Sequence, residues 1–597
     1  MNNYNAPLSD IWFVLREIAG IDEIVKLPGF EDSETDTIET VLSGAARFAG
    51  EVPAPQNRTG DVEGAVWTGG KVRMPAGFGS AYAAFAANGW AGLGCEPEFG
   101  GTAMPRVVVA AVREMWHSAN LAFGLCLVLS TGAVEALSLS ASEDLKQRFL
   151  PKLVSGEWTG TMNLTEPHAG SDLAAIRTRA APRPDGSFLI TGHKIFITYG
   201  EHDMAPNIVH LVLARLPDAP AGTKGISMFV VPKFLVDAGG ELGARNDVTC
   251  TSIELKLGIH ASPTCVINFG DRGGAVGHLV GEANRGLEYM FVMMNDARLI
   301  SGIQGLAVAE RAFQQARTYA QERVLGRDIA GSKGAVRIIE HPDVRRMLML
   351  MKCQTEAMRA LAYFIAAARD RADVHPDAAM RERSAALVGL LTPIAKGWCT
   401  ETGIEVASTG IQVHGGVGYI EETGAAQHLR DVRITAIYEG TTGIQANDLM
   451  SRKIAHEGGA TLRRLIADIR STAVRLSAEG DADLSAIGRP LASGVTALET
   501  AVSYVIENFN AHPRQTAVGA VPLFKLAGFV TGGWLMGAAA EAATARSRDG
   551  DGDPTMYQAK RATARFFADQ VLSHAPGLAH TVIHGAGRVM ELAEGQL

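Results

Sequence analysis

The chain has 597 residues, of which 47% are hydrophobic and 20% charged, with a formal net charge of −9. That length calls for two to four domains rather than one core, and the composition excludes a disordered chain. The acidic balance argues against nucleic acid as a partner, because phosphate backbones are gripped by clustered Lys and Arg.

The opening residues MNNYNAPLSDIWFVLREI carry no basic segment ahead of an apolar run and are unlike a signal peptide. Residues 1–40 read as a leading helix with a polar tail, EDSETDTIET. From Ile38 to about Leu153 the apolar spacing is helical, as in Val107–Trp116 and Leu121–Leu139, with Gly-rich punctuation between Gly89 and Gly101. From about Trp158 to Val280 the pattern changes to short runs rich in Thr, Ile, Val and Phe. FLITGHKIFITYG, NIVHLVLARL, GISMFVVP and TCVINFG all read as strands. Helical periodicity returns after Gly286 and continues through Pro342–Asp370 and Arg381–Ser408. From about Ser451 a further helical region runs on, broken by strong turn chemistry, DGDGDP, at Asp549–Pro554.

The order helices, strands, helices, helices predicts an α+β protein with segregated layers. The expected divisions are 1–40, an N-terminal extension; 41–157, a helical domain; 158–283, a β domain; 284–452, a helical catalytic domain; and 453–597, a C-terminal helical domain. The apolar stretch Leu526–Ala540 falls short of the ~20 residues of a membrane span and reads as a buried helix. Six cysteines (Cys95, Cys126, Cys250, Cys265, Cys353, Cys399) lack C-x-x-C spacing. Neither a disulfide framework nor a zinc site is expected, and a reducing, cytoplasmic compartment is the simplest reading. His580 and His584 are four apart but have no third ligand, so no metal is expected there. Met347–Met351 reads as core packing.

Three segments carry candidate chemistry. MNLTEPHAGSDLAAIRTRA, residues 162–180, leaves a strand and turns through Pro167, Ala169 and Gly170, offering hydroxyls at Thr165 and Ser171. By itself this is an ordinary turn. KIFITYG, residues 194–200, sets Phe196 and Thr198 on one strand face, which alone is a half-buried strand. In residues 411–448, Gly415, Gly416 and Gly418 allow a backbone to approach a phosphate. Their GGVG is not the G-x-G-x-x-G of a nicotinamide site. In the same segment Glu439 follows the apolar run Ile434–Ile437. A carboxylate shielded there would make a usable base; a lone Glu is otherwise a loop charge.

Together these pieces resemble the acyl-CoA dehydrogenase family. The likeness rests on Thr165-Glu166-Pro167 with Gly170-Ser171-Asp172, Ile197-Thr198, Arg298 in NDARLISG, and Glu322-Arg323. It continues through Gln412 with Gly415-Gly416-x-Gly418 and Arg430-Asp431 to Ile437-Tyr438-Glu439-Gly440-Thr441. Order and spacing agree from about residue 40 to about 450. YNAPLSDIWFVL, GEHDM, GTKGISMFVVPK and the long C-terminal region resemble a larger-subunit branch that includes 3-(methylthio)propanoyl-CoA dehydrogenases.

The resemblance implies a helical N-domain, a middle β-barrel-like domain and a helical bundle, with FAD as cofactor. It implies Glu439 as the base. Met162, Leu164, Thr165, Phe196 and Thr198 would line the flavin, and Arg323, Gln412, Gly416 and Thr441 would hold the rest of FAD, partly from a neighbouring subunit. Ser171, Arg298, Tyr438 and Gly440 would meet the substrate. Implied partners are an acyl-CoA, an electron-transfer flavoprotein and further copies of the chain as a homodimer or tetramer; no integral membrane segment is implied. The substrate would be 3-(methylthio)propanoyl-CoA or a medium- or long-chain acyl-CoA. An acyl-CoA oxidase and a non-catalytic acyl-CoA-binding protein are the alternatives. His168, Phe196 and the Val-Leu-Gly after Arg323 depart from the family's usual residues. Asp296, beside Ala297, is the second candidate base. Gly124 and Gly132 could leave room for a long acyl chain or serve helix packing.

Overall fold

The computed structural model describes residues 4–550 and 552–597 and divides into two compact units. The first contains Gly44–Met104 and Met115–Ile300; the second contains Ala6–Ser43, Pro105–Glu114 and Ser301–Leu597.

In the first unit an aromatic cluster of Phe48, Phe85, Trp90, Trp116 and Phe123 packs tilted and edge-on, at centroid separations of 5.2–6.5 Å. Asn120 starts the helix Leu121–Ser140 by accepting from the Phe123 N–H at 3.1 Å. That helix lies directly on the strand Thr159–Asn163. The Gly160 N–H donates to Ser130 Oγ at 3.0 Å, and a Cβ on Gly160 would fall 2.5 Å from that of Ala133. An eight-stranded mixed sheet follows, with one parallel pairing, Thr159–Asn163 against Ile208–Ala214. The strands read from the sequence are present as Phe188–Thr198, Ile208–Ala214, Ser227–Pro232 and Thr264–Phe269. Phe188–Thr198 is the hub. Its first half pairs with Arg179–Pro182 and Ala275–Val280, its second half with Thr264–Phe269.

In the second unit the helices Gly286–Glu322 (from Ser301 on) and Ala378–His414 touch through glycines. A Cβ on Gly305 would meet the Cys399 carbonyl oxygen at 2.4 Å, and one on Gly403 the Gly305 oxygen at 2.6 Å. The C-terminal helices seat on Ala378–His414 in the same way. Phe524 occupies the space beside Gly397, and Trp398 the space beside Gly528 and Gly532.

A buried ion cluster joins four helices and the leading segment. Arg359 bonds Glu114 (2.6 Å) and Glu310 (2.8 Å) and also pairs with Asp10. Lys560 bonds Glu356 (3.0 Å) and pairs with Asp10, and the Tyr363 hydroxyl donates to Glu114 at 2.6 Å.

Three local outcomes differ from the sequence reading or extend it. The helix Thr35–Glu51 begins inside the stretch expected to be a polar tail, because Ile38, Leu42, Ala45 and Ala49 recur at helical spacing and are all buried. Leu526–Ala540 belongs to a longer helix, Ala520–Asp549. That helix and Leu121–Ser140 are long and apolar enough to cross a membrane, yet 83% and 78% of their most apolar stretches are buried inside the protein. The expected turn near Asp549 is a helix stop at Gly550 (φ 70°), with a new helix from Pro554; Asp551 lies outside the described residues.

Candidate active site

The first unit carries the segments expected to face a flavin. Met162 and Thr165 are half-buried, Leu164 is buried and Ser171 is exposed. Phe196 and Thr198 reach the surface because the strand bulges. Cys265 pairs with Ile197 and Ile267 with Lys194, so two residues, Ile195 and Phe196, oppose one, Val266. The extra residue is taken up at Phe196, whose φ of 59° is rare for a bulky side chain. The shift turns Lys194 and Ile197 inward and leaves the Phe196 ring 59% exposed.

Lys194 Nζ donates to the Leu164 carbonyl and to Glu166 Oε1, both at 2.9 Å, and the Ile195 N–H donates to the Thr165 carbonyl at 2.9 Å. The two segments, about thirty residues apart in sequence, are thereby joined. On the helix Gly286–Glu322, Arg298 donates to Asn295 Oδ1 at 3.3 Å, while its Nε is buried with no hydrogen-bond partner among the described residues.

The second unit carries Glu439 in a strained turn. Its φ is 54°, and Gly440 follows at 91°, where a Cβ would stand 2.6 Å from Gln445 Nε2. The turn is tied down on several sides. Lys396, wholly buried, donates to the Gly440 carbonyl at 2.5 Å, and Gln445 Nε2 donates to the Glu439 carbonyl at 3.2 Å. Thr441 caps the helix Thr442–Asn447 by accepting from the Ile444 N–H at 3.3 Å. Burial and the neighbouring Glu439 carboxylate push the Tyr438 phenol well above its ordinary value, so it stays protonated and donates to Gln304 Oε1. The expected apolar shield is partial: Thr435 and Ala436 are buried, Ile437 is 47% exposed and Glu439 is half-buried.

Arg323, Gln412 and Gly416 are exposed at adjoining helix ends, which the stacked rings of Tyr319 and His414, with centroids 4.6 Å apart, join. Gly415 and Gly416 open onto empty space, as a close-approaching ligand needs, whereas Gly418 is a packing glycine whose Cβ would meet the Ile411 carbonyl oxygen at 2.5 Å. Gln412 is set apart from the residue that clamps the Glu439 turn. Lys396 and Gln412 lie on one helix, sixteen residues or about 24 Å apart.

Lys194, Lys396, Gln304 and Gln445 were not singled out from sequence. A Lys within IAKGW or HKIF carries no local sign that its stem is enclosed. The residues present fit FAD. Phe196 offers an exposed aromatic side chain held by a strained backbone, and Gly415 and Gly416 an open backbone.

Family models match almost the whole chain in order: acyl-CoA dehydrogenase N-terminal domain at 35–157, middle domain at 161–271, C-terminal domain at 284–454, and an acetyl-CoA dehydrogenase C-terminal-like domain at 465–593. The chain is 47% identical over 570 residues to the 3-methylmercaptopropionyl-CoA dehydrogenase of Ruegeria pomeroyi, covering 95% of this chain and 96% of that protein. It is 34% identical over 591 residues to the broad-specificity linear acyl-CoA dehydrogenase FadE5 of Mycobacterium tuberculosis, covering 96% of each. Its fold matches the FAD-complexed acyl-CoA dehydrogenase of Bacillus anthracis with a TM-score of 0.73 at 19% identity, over 96% of this chain and 92% of the other; at that identity the likeness speaks to the fold alone. With four matching domains in register and a close relative spanning nearly its full length, this chain belongs to the acyl-CoA dehydrogenase family.

Proposed function

We propose that this chain oxidises a short acyl-CoA, 3-(methylthio)propanoyl-CoA foremost, to its 2-enoyl-CoA, with Glu439 as the base. The observation that carries the reading is the Glu439 turn: a carboxylate held at positive φ and clamped through its neighbours is strain retained for positioning.

Bound FAD supplies the two-electron acceptor for the β-hydride. The chain supplies the rest. Glu439 takes the α-proton while its own N–H donates to the thioester oxygen, where negative charge grows. Lys396 and Gln445 hold the turn, so these groups are in place before reaction. Met162, Leu164, Thr165, Phe196 and Thr198 would hold the flavin ring. Ser171 and Arg298 of the first unit and Tyr438 and Gly440 of the second are each assigned to the acyl-CoA, and Thr441 to the cofactor.

A short acyl group is favoured because neither helix glycine leaves depth. The space at Gly132 is filled by Met293, whose Cγ is 2.7 Å from a would-be Cβ, and the space at Gly124 by His117 Nδ1 at 2.3 Å. The Ruegeria relative's substrate is the second support.

Arg323, Gln412 and Gly416 are assigned to the FAD of a neighbouring copy, in a homodimer or dimer of dimers. Gln412 lies about 24 Å along its helix from Lys396, the residue that clamps the Glu439 turn, and that spacing supports the assignment. An electron-transfer flavoprotein is the proposed oxidant of the reduced enzyme, and the cytoplasm the proposed compartment, in keeping with six buried, unbridged thiols.

The test is anaerobic flavin bleaching with a panel of 3-(methylthio)propanoyl-, butanoyl-, octanoyl- and palmitoyl-CoA, then reoxidation by air or by an electron-transfer flavoprotein. Fastest bleaching by the first two and slow reoxidation in air are expected. A preference for palmitoyl-CoA would overturn the short-chain assignment.

A further inference from the structure

We propose that the buried pair Lys194–Glu166 is a positioning device for the flavin, locking the Met162–Thr165 segment to the bulge that presents Phe196 and Thr198. The proposal rests on the reading that these two segments meet FAD.

Both side chains are withdrawn from solvent, at 0% and 3% exposure. The ammonium bridges two places in one segment, the Leu164 carbonyl and the Glu166 carboxylate, each at 2.9 Å. Glu166 is fixed in turn. It accepts from Thr178 Oγ1 (2.6 Å), the Thr178 N–H (3.0 Å) and the Arg177 N–H (2.7 Å), and His168 Nε2 lies 3.4 Å away. Burial lowers Lys194 to about 8, which leaves it mostly charged at neutral pH, while Lys194 and the Thr178 hydroxyl hold Glu166 below its ordinary value against its own burial.

A buried ion pair is seldom more stabilising than packed apolar side chains of the same volume. Stability is therefore a poor account of this one, and its location offers a better one. Lys194 is the last residue in register before the bulge, and Ile197 the first after it. Between them Phe196 sits at a φ that its side chain disfavours. The sheet pairs both flanks, Lys194 with Ile267 and Ile197 with Cys265. What the Lys194 side chain adds is a tie from the bulge to a segment outside that pairing, at Leu164 and Glu166. The Phe196 ring and the Met162–Thr165 segment are thereby held at a set spacing before any ligand arrives.

The deciding variant is Glu166→Gln with Lys194→Met, which removes both charges and keeps the volumes. Lys194→Met alone strands a buried carboxylate and is expected to fold poorly. Four quantities are compared with wild type: the thermal midpoint of the FAD-free protein, the FAD dissociation constant from fluorescence titration, the visible circular dichroism of the bound flavin, and kcat against KM. We expect a modestly lowered thermal midpoint, because a Gln side chain at position 166 cannot accept on both sides and the Leu164 carbonyl loses its donor, and a dissociation constant raised about tenfold, the size of one net hydrogen bond. An altered flavin dichroism and a fall in kcat larger than any change in KM should accompany it. A double variant with wild-type FAD affinity and dichroism overturns the proposal. So does one whose affinity and thermal midpoint collapse together, since that is a structural role only. Wild-type protein that takes up no FAD overturns the underlying reading as well.

Discussion

On the proposed assignment Glu439 is the reacting group and Lys396 its support. Glu439→Gln keeps size and shape but removes the carboxylate, so acyl-CoA should still bind while the flavin stays oxidised after anaerobic mixing. A loss of about 10²–10⁴-fold in the reduction rate is expected, read by stopped flow. Reduction at the wild-type rate would move the base elsewhere, with Asp296 next to test. Lys396→Met retains the buried stem but releases the Gly440 carbonyl. The expected result is a drop in kcat with little change in KM, because the turn loses its pre-set geometry while the substrate's binding contacts remain. Equal changes in both constants would assign Lys396 to binding rather than to positioning.

At the scale of elements, close packing at glycines and one buried ion cluster carry the predictions. Gly528→Ala would place a Cβ 2.4 Å from Trp398 Cγ, and overpacking of this sort costs about 1–3 kcal/mol. Denaturant unfolding should show it as a lower midpoint with an unchanged slope. Asp10 ties the leading segment to the helices Pro342–Val374 and Pro554–Gln570 through Arg359 and Lys560. Burial by itself would raise its carboxyl, but those two cations hold it well below the ordinary value of 3.8. A depressed folded-state value means its stabilisation is complete above about pH 4 and is lost as the pH falls below that. Asp10→Asn should cost about 3–5 kcal/mol at pH 7, because two buried cations lose their shared partner. The difference between variant and wild type should shrink in acid. A difference that is constant from pH 7 to pH 3 would exclude the ion cluster as its source. The glycine spacings were visible in the sequence, but which glycine met which ring was not: Gly528 and Trp398 are 130 residues apart, and no local pattern couples them.

For the whole molecule, the assignment of Arg323, Gln412 and Gly416 to the FAD of a neighbouring copy predicts complementation. Arg323→Ala and Glu439→Gln, each inactive alone, should regain activity when co-expressed, because a mixed dimer contains one site with both groups intact. Mixed dimers as inactive as their parents would place both groups in one chain's site.

The sequence by itself determined the α+β order, the strands between Trp158 and Val280, the family, the cofactor and, as an expectation, the base. These follow from hydrophobic period, turn chemistry and motif spacing, all of which are local in the chain. Only the tertiary structure decided that Gly132 is filled by Met293 and that Phe196 reaches the surface through a bulge. It also decided that Lys194 and Lys396 are buried clamps and that Asp10 belongs to an ion cluster. Each of these depends on what a distant segment places beside a residue. Enclosure of a charge, or of a missing side chain, is a property of the assembled core and leaves no periodic trace in the chain.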